Sequence, residues 1–561
     1  TIVDGPSQTA CTGDTSAGPE IWLFGSMPGS LSMPALRITS DRNRIAGVGG
    51  FNYFKTGIQI EGDDNVVVGC TTVQAGTGVL VTGSGNILGG ATPAERNLFS
   101  LCGTGVVVSS PTANGNIIRG NFIGTDITGT TELGNNSTGI AAGNWTTIGG
   151  AAPGEGNVIA GNGHLGEHEA PIGAQVRLTG DHNTVIGNRI GTDHTGTVAL
   201  GGSVSAGIDI SGSFNTIGVP GAGNLVSGHT WMAFGAFQVG IRLSGGQGNV
   251  IQSNRIGTDV TGTLPLPNRR GIEVAMISFL DLARNSRIGG AGPGEGNRIA
   301  FNQGDAIGLN SSAGLGPTGV TVTRNAIFAN GELGINLATS FYGYPATVNL
   351  NDAGDVDTGS NNRQNFPVLL TADDDGIRTL VTGTLDTPQP DGATIEFYAN
   401  TARDPSGFGE GETFVGTATP SSSGSFVAFL PAGLVGKYLT ATATDAGGNT
   451  SEFSADLLVR SQVTAVDGRG ERWIDIHPNP ASSDARIRWS RPEAEIATVA
   501  IYDVHGRMIR TLAPRQRFAA GVHELRWSGE DERGNPASPG VYFLHLDGAT
   551  GSVVRKVMLT R

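Results

Sequence analysis

The chain has 561 residues, 90 of them glycine, and a net charge of −14 from 35 Lys+Arg against 49 Asp+Glu. An acidic surface repels phosphate, which argues against nucleic acid as a partner and suits a secreted, salt-tolerant protein. No apolar run is long enough for a membrane-spanning helix, and no secretion signal is visible. Hydrophobic residues make up 38%, enough to fill a core despite the glycine, and the length predicts several domains.

Thr1 lies in "TIVDG", which reads as the middle of a strand, so the numbering is expected to start after processing. The first coil would then expose an unpaired edge, to be completed by another subunit or by a strand from elsewhere. Three cysteines, Cys11, Cys70 and Cys102, are too few for a disulfide framework. They read either as one pair, Cys70–Cys102 or Cys11–Cys70, or as three buried thiols.

A short Gly-Ile-x-apolar element recurs down the first 340 residues. It reads "GIQI" at 57–60, "GVLV" at 78–81, "GVVV" at 105–108, "GIDI" at 207–210, "GIRL" at 240–243 and "GINL" at 334–337. With looser copies such as "QVRL" (175–178) and "AIGL" (306–309), ten copies follow one another about every 31 residues. An Asn-x-apolar-x-Gly element lies between them, as in "NIIRGN" (116–121) and "NTVIGN" (183–188). Short strands of fixed period, with no helical pattern between them, predict a parallel β-solenoid of about ten coils over residues 1–348. A β-propeller would need about 40–45 residues per blade and antiparallel hairpins. The residue between the two apolar positions faces outward. Stacked, these residues make one column: Gln59, Leu80, Val107, Ala141, Arg177, Asp209, Arg242, Glu273, Gly308 and Asn336.

The repeat stops near residue 345. Residues 349–460 read as a polar bridge, "NDAGDVDTGSNN", followed by alternating strands such as "TIEFYAN" and "YLTATATD", an immunoglobulin-like sandwich. Residues 461–473 read as a linker, and 474–561 as a second small sandwich. The fold class is therefore all-β: a right-handed parallel β-helix followed by two Ig-like sandwiches.

Three stretches carry family resemblances. "IYDVHGRMIRTL", "DERGNPASPGVYF" and the basic last strand resemble the C-terminal Ig-like module of many secreted bacterial proteins. That module is similar to type IX sorting domains and to the flagellar hook-cap Ig fold. The first 340 residues resemble bacterial right-handed parallel β-helix repeat proteins, which carry the "GNFIGTD-TGT-LGN" pattern. Residues 349–458 resemble the sandwich that often follows them. The resemblance implies fold and a secreted or surface location, not chemistry.

The residues offer several candidate sites. Asp209, Arg242 and Glu273 occupy successive coils of the outward column. A polysaccharide lyase needs a basic proton abstractor beside an acidic cluster, and a glycoside hydrolase needs two carboxyls about 5–9.5 Å apart. Asp209 and Glu273 would lie about 10 Å apart with Arg242 between them, so a charge-paired ladder is expected and a catalytic stripe is the alternative. "GHLGEHEAPIG" gathers His164, Glu167, His168 and Glu169 in a loop; without a helix to align them, a solvated loop is expected. In the bridge, Asn349, Asn351, Asp352, Asp355 and Asp357 crowd oxygen ligands of the kind Ca²⁺ takes, which predicts a structural calcium site. "GTDITGT" recurs with Asp126, Asp193 and Asp259, 67 and 66 residues apart. That spacing is two coils, too far for one shared ion, so each aspartate is expected to bond backbone N–H groups in a turn.

The function expected first is an extracellular or cell-surface structural or adhesive β-solenoid, assembling head-to-tail into a fibre or surface layer. Its partners would be its own copies, other surface proteins or extracellular polysaccharide, with no membrane span and no nucleic acid. The alternatives are a secreted polysaccharide lyase or glycoside hydrolase, or a non-catalytic glycan binder. Aromatic groups at Trp231, Phe234 and Phe237 and at Phe341, Tyr342 and Tyr344 would support a glycan-facing role.

Overall fold

The coil repeat becomes three parallel sheets, because each coil gives each sheet one short strand. The computed structural model describes residues 2–4, 21–23, 31–50, 54–109, 111–163, 173–230, 232–233, 236–275, 283–311, 314–337, 347–461, 473–491, 493–548 and 551–560. Each sheet has eleven strands. The first sheet runs from Ile2–Asp4 to Thr321–Thr323, the second from Ile21–Leu23 to Ala326–Phe328, and the third from Leu31–Ile38 to Ile335–Asn336. The third holds the ten repeats read from the sequence and one more strand, Leu31–Ile38, whose "LSMPALRI" lacks the glycine signature.

Register follows the side-chain alternation. Ile58 pairs with Val79, Val79 with Val106, and Val106 with Ile140. The row continues through Val176, Ile208, Ile241 and Ile272. All are buried in one core cluster. Burying each such side chain stabilises the fold by about 1.5–3 kcal/mol.

The corners pose the harder problem, since a turning chain leaves N–H groups without a ladder partner in a dry interior. Asparagines solve it. Between the first and second sheets, the amide N–H of Asn97 donates to Asn121, Asn121 to Asn157, Asn157 to Asn188, and Asn188 to Asn224, always to Oδ1 of the next coil. The chain of bonds runs on through Asn254 and Asn297 to Asn325. Asn188 is representative: its Oδ1 accepts the Asn157 N–H at 3.0 Å and the Asn157 Nδ2 at 2.9 Å. Its own Nδ2 donates to the Ile148 and Ile186 carbonyls. Two further corners carry partial versions, Asn43 to Asn116 and Asn268 to Asn330 among them.

Residues 347–461 belong to the same compact unit as the helix. Two four-stranded sheets form the sandwich. One orders Ser425–Pro431, Arg378–Thr384, Val368–Asp374 and Arg460–Ser461; the other orders Thr413–Ala418, Thr394–Asn400, Tyr438–Thr444 and Leu457–Leu458. This sandwich covers the open C-terminal edges of all three helix sheets. Val322 N–H donates to Thr450 Oγ1, Ile327 and Gly411 exchange backbone bonds, and Leu337 N–H donates to Glu452 Oε1. Tyr398 and Phe453 of the sandwich join the helix core.

A second compact unit begins at Gln462. It pairs a three-stranded sheet, Ile474–His477, Ala485–Arg491 and Gly521–Trp527, with a four-stranded one, Met508–Phe518, Glu495–Asp503, Gly540–Gly548 and Gly551–Leu559. Trp489 and Trp527 fill its core. Most of the expected linker, residues 462–472, lies outside the described residues.

Cys70 and Cys102 are free and buried, so they do not form the pair the sequence allowed, and Cys11 lies outside the described residues. Burial pushes both thiols up to about 11, the state of inert core cysteines.

Removing one rung of the asparagine ladder tests its weight. Asn188→Ala orphans the Asn157 N–H in a dry corner and should cost about 1–3 kcal/mol or more. Thermal unfolding of the variant against wild type measures it; an unchanged midpoint would show that the corner relaxes without the ladder.

Candidate functional site

The outward column stands in the register the repeat predicts. Arg177 pairs with Asp209, Asp209 with Arg242, and Arg242 with Glu273. The charges neutralise one another along it. Arg242 Nε donates to Glu273 Oε2 at 2.9 Å, Arg270 lies 3.6 Å from Glu273, and Arg177 lies 3.7 Å from Asp209. Ser244 donates to Asp209 Oδ1 and Asn310 to Glu273 Oε1. The column is not exposed throughout: Glu273, Gly308 and Asn336 are buried. Burial would raise Glu273, but Arg242, Arg270 and Asn310 outweigh it and hold the carboxyl below its ordinary value. An ionised, doubly ion-paired glutamate is a poor proton shuttle, because its charge is already engaged.

The three recurring aspartates are turn residues. Asp126 Oδ1 accepts the N–H groups of Thr130 and Thr131, and its Oδ2 accepts the Thr128 hydroxyl. Asp193 repeats this with Gly196, Thr197 and Val198, and Asp259 with Thr263 and Leu264. Burial works to raise each carboxyl, yet the threonine hydroxyl and the amides hold all three low. The corners also stack on one another across an intervening coil: His194 N–H donates to the Gly129 carbonyl and Val260 N–H to the Gly196 carbonyl.

The bridge brings three of its five candidate ligands together. One carboxylate oxygen from each of Asp352, Asp355 and Asp357 lies within 4.8 Å of the others. Burial raises Asp355 and Asp357, and their acidic neighbours add to it. Arg363 reaches Asp357 Oδ2 at 3.3 Å, one positive charge against three carboxylates. Asp352 Oδ1 and Asp357 Oδ1 are buried without a hydrogen-bond partner among the described residues. The asparagines are engaged elsewhere: Asn349 Nδ2 on Glu452 and the Leu337 carbonyl, Asn351 on the backbone of Phe366. The His164–Glu169 loop, the aromatics Trp231, Phe234, Phe341, Tyr342 and Tyr344, and the side chain of Phe237 lie outside the described residues.

A feature no motif announced sits where the sandwich meets the last coils. Glu410 Oε1 accepts both the N–H and the Nδ2 of Asn330, ending one asparagine ladder with a carboxyl. Glu452 accepts the N–H groups of Leu337 and Asn349, and Asp305 accepts those of Leu333 and the Asn336 side chain. Burial is the main cause that pushes each of these carboxyls up to about 7. A cleft of about 380 Å³ opens beside Glu410, lined by Asn330, Asn400, Arg403, Asp404 and Glu412. His229, buried in place of a ladder asparagine, holds Asn268 Oδ1 at 2.9 Å, and burial lowers it to about 4.

With this geometry in hand, the comparisons with known proteins fall into place. Residues 174–351 match the family model of the right handed beta helix region, and residues 481–552 that of the FlgD Ig-like domain. The chain joins a right-handed β-helix to a C-terminal FlgD-type Ig-like domain. No curated protein matches it in sequence. Among solved structures, dimeric latent PorU from Porphyromonas gingivalis aligns at 16% identity and a TM-score of 0.18, over 35% of this chain and 20% of its own. PorZ, a surface component of the type-IX secretion system of the same organism, aligns at 14% identity and 0.13, over 35% and 23%. Escherichia coli alpha-2-macroglobulin activated by porcine elastase aligns at 11% and 0.13, over 36% and 22%. The chain thus spans less than a quarter of each, and such scores carry no argument about function.

The β-helix and its capping sandwich meet through buried acids, Glu410 and Glu452, whose burial favours the protonated form. Glu410 takes up its proton near 7 when folded but near its ordinary 4.5 when unfolded. Its contribution to stability is therefore complete below about pH 4.5 and lost as pH rises through about 7. Glu410→Gln keeps an oxygen for Asn330 and removes the charge. It should unfold like wild type near pH 4.5 and later than wild type near pH 8, by up to about 3 kcal/mol. Differential scanning calorimetry across that range checks it; a pH-independent difference would show that Glu410 stays ionised in the fold.

Proposed function

We propose that this chain is a structural, adhesive β-solenoid of the cell surface or extracellular space, with its Ig-like domains serving to cap and tether the helix. The ladder of paired charges from Arg177 to Glu273 is the observation that carries this reading. On the column where a lyase or glycosidase would present free acid and base, arginine and carboxylate neutralise one another. A secreted polysaccharide lyase or glycoside hydrolase acting through Asp209, Arg242 and Glu273 is the competing reading. Incubation with a panel of acidic and neutral glycans is expected to release neither new reducing ends nor unsaturated uronates. Turnover that disappears in Arg242→Ala would overturn the structural reading.

Head-to-tail growth by coil stacking needs an open edge at both ends, and the C-terminal edges bond to the sandwich at Thr450, Gly411 and Glu452. We therefore propose that any self-association uses the sides of the helix or the C-terminal unit. Electron microscopy of the purified protein at high concentration is expected to show discrete particles or lateral assemblies. Continuous end-to-end fibres would require the sandwich to leave the last coil.

A calcium ion in the bridge is favoured by one observation, the two buried, unbonded oxygens of Asp352 and Asp357 facing a triad with a single arginine. Ca²⁺ takes oxygen ligands of this kind, and closely set carboxylates repel one another without a counter-charge. The ion would fix the entry into the sandwich. Calcium at about a hundredfold over its dissociation constant should stabilise the unit by about 2.7 kcal/mol relative to chelator. Asp355→Asn should abolish the shift; equal unfolding temperatures in calcium and chelator would remove the ion from the account.

A further inference from the structure

One corner of the β-helix gathers aromatic side chains in three successive coils. Its turn residue adopts a left-handed backbone in coil after coil, a conformation that suits glycine, asparagine or aspartate. Asp64, Gly85, Gly115, Gly248, Asn285 and Gly319 follow that preference, while Arg42 at the start of the series does not. Between Gly115 and Gly248 the same position holds Trp145, His182 and Phe214, at φ 52°, 59° and 58°. Each aromatic residue there costs about 1 kcal/mol or more.

The three rings stack. Trp145 and His182 lie 4.2 Å apart at 13°, His182 and Phe214 5.2 Å apart at 14°. The stack has a direction, because side chains at this corner lean over the next coil. Asp64 overlies Gly85, Phe214 overlies Gly248, and Asn285 overlies Gly319. Trp145 in the same way covers His182, and His182 covers Phe214. The opposite face of Trp145 looks back toward Gly115, which has no side chain to cover it, and a Cβ built on Gly115 would meet nothing within 4 Å. Trp145 is 51% exposed and Phe214, at the far end of the stack, 48%. The stack backs one face of the indole, and no side chain at Gly115 stands over the other. Beside it, Asn114 is exposed, and no hydrogen bond engages its side chain among the described residues.

We propose that the open face of Trp145 is a binding shelf for a pyranose ring of a neutral glycan, with His182 and Phe214 as its backing. An aromatic face carries negative charge density and attracts the weakly positive C–H groups that line one side of a sugar ring. The exposed Asn114, next to Gly115 in the chain, offers an amide for the ring hydroxyls. Charge decides among flat or ring-shaped ligands: a chain of net charge −14 with Asp181 in the neighbouring coil disfavours uronates and nucleic acid. The shelf deepens the adhesive reading above and rests on it only for the setting in which a glycan would be met.

The test is calorimetric titration of the full chain with neutral hexasaccharides of glucose, xylose, mannose and N-acetylglucosamine, and with a galacturonate hexamer. An open, single-ring shelf should bind at least one neutral sugar with a Kd of about a millimolar. Trp145→Ala should weaken it about tenfold or abolish it, and Trp145→Phe should retain part of it. Gly115→Asn tolerates the left-handed backbone and fills the shelf while leaving the indole in place, so it should block binding in a folded protein. Phe214→Leu removes the far end of the backing and should weaken binding less than Trp145→Ala does. Three results would overturn the proposal: no binding of any neutral hexamer, unchanged binding in both Trp145→Ala and Gly115→Asn, or preference for the galacturonate hexamer. Glycan cleavage and electron microscopy read the adhesive function separately, so either reading can fail without the other.

Discussion

Everything in the β-helix depends on satisfying the backbone at its corners. Strands of two to eight residues leave many turning peptides inside a core that water does not reach. Each asparagine of the ladder from Asn121 to Asn325 answers twice, accepting an N–H from the coil before and donating to a carbonyl of the stack. A shift of one residue would turn each buried apolar row outward and strand every Oδ1, so rows and ladders together fix the register that places each outward column. Where asparagine is replaced, as by His229, the substitute still presents a group to the next Oδ1.

The repeat itself was readable because Gly-Ile-x-apolar marks both the strand and its buried side. The outward column from Gln59 to Asn336 follows from that alternation residue by residue, and so does the aspartate turn, whose Thr-Gly-Thr supplies the amides. The first strand of the third sheet, Leu31–Ile38, does not show the motif because Ala35 and Leu36 stand where it has glycine and isoleucine. Glu273 was read as exposed because alternation gives direction, not what later packs above it. The triad of Asp352, Asp355 and Asp357 was visible as crowded oxygens, while the diversion of Asn349 to Glu452 depends on a contact 103 residues away. The aromatic corner escaped notice for a related reason: Trp145, His182 and Phe214 lie more than thirty residues apart and share no local pattern, only a place in the coil.

The junction with the first sandwich extends the helix logic into a different fold. A parallel sheet edge needs acceptors and donors at fixed heights, and the sandwich supplies them from side chains, Thr450, Glu452, Glu396 and Glu410. Carboxylates are apt caps for N–H groups, yet burial opposes their charge. The result is a seam that is well bonded and sensitive to protons, unlike the neutral amide ladders it completes.

The stacking of the Thr-Gly-Thr corners, His194 on Gly129 and Val260 on Gly196, skips a coil each time. Between Asp126 and Asp259 the repeating unit is therefore a pair of turns, not one. Protruding corners on neighbouring rungs would compete for the same space, whereas on alternate rungs each rests on the last. The three corners form an outer ladder whose rungs stand about 10 Å apart, twice the spacing of the sheets beneath.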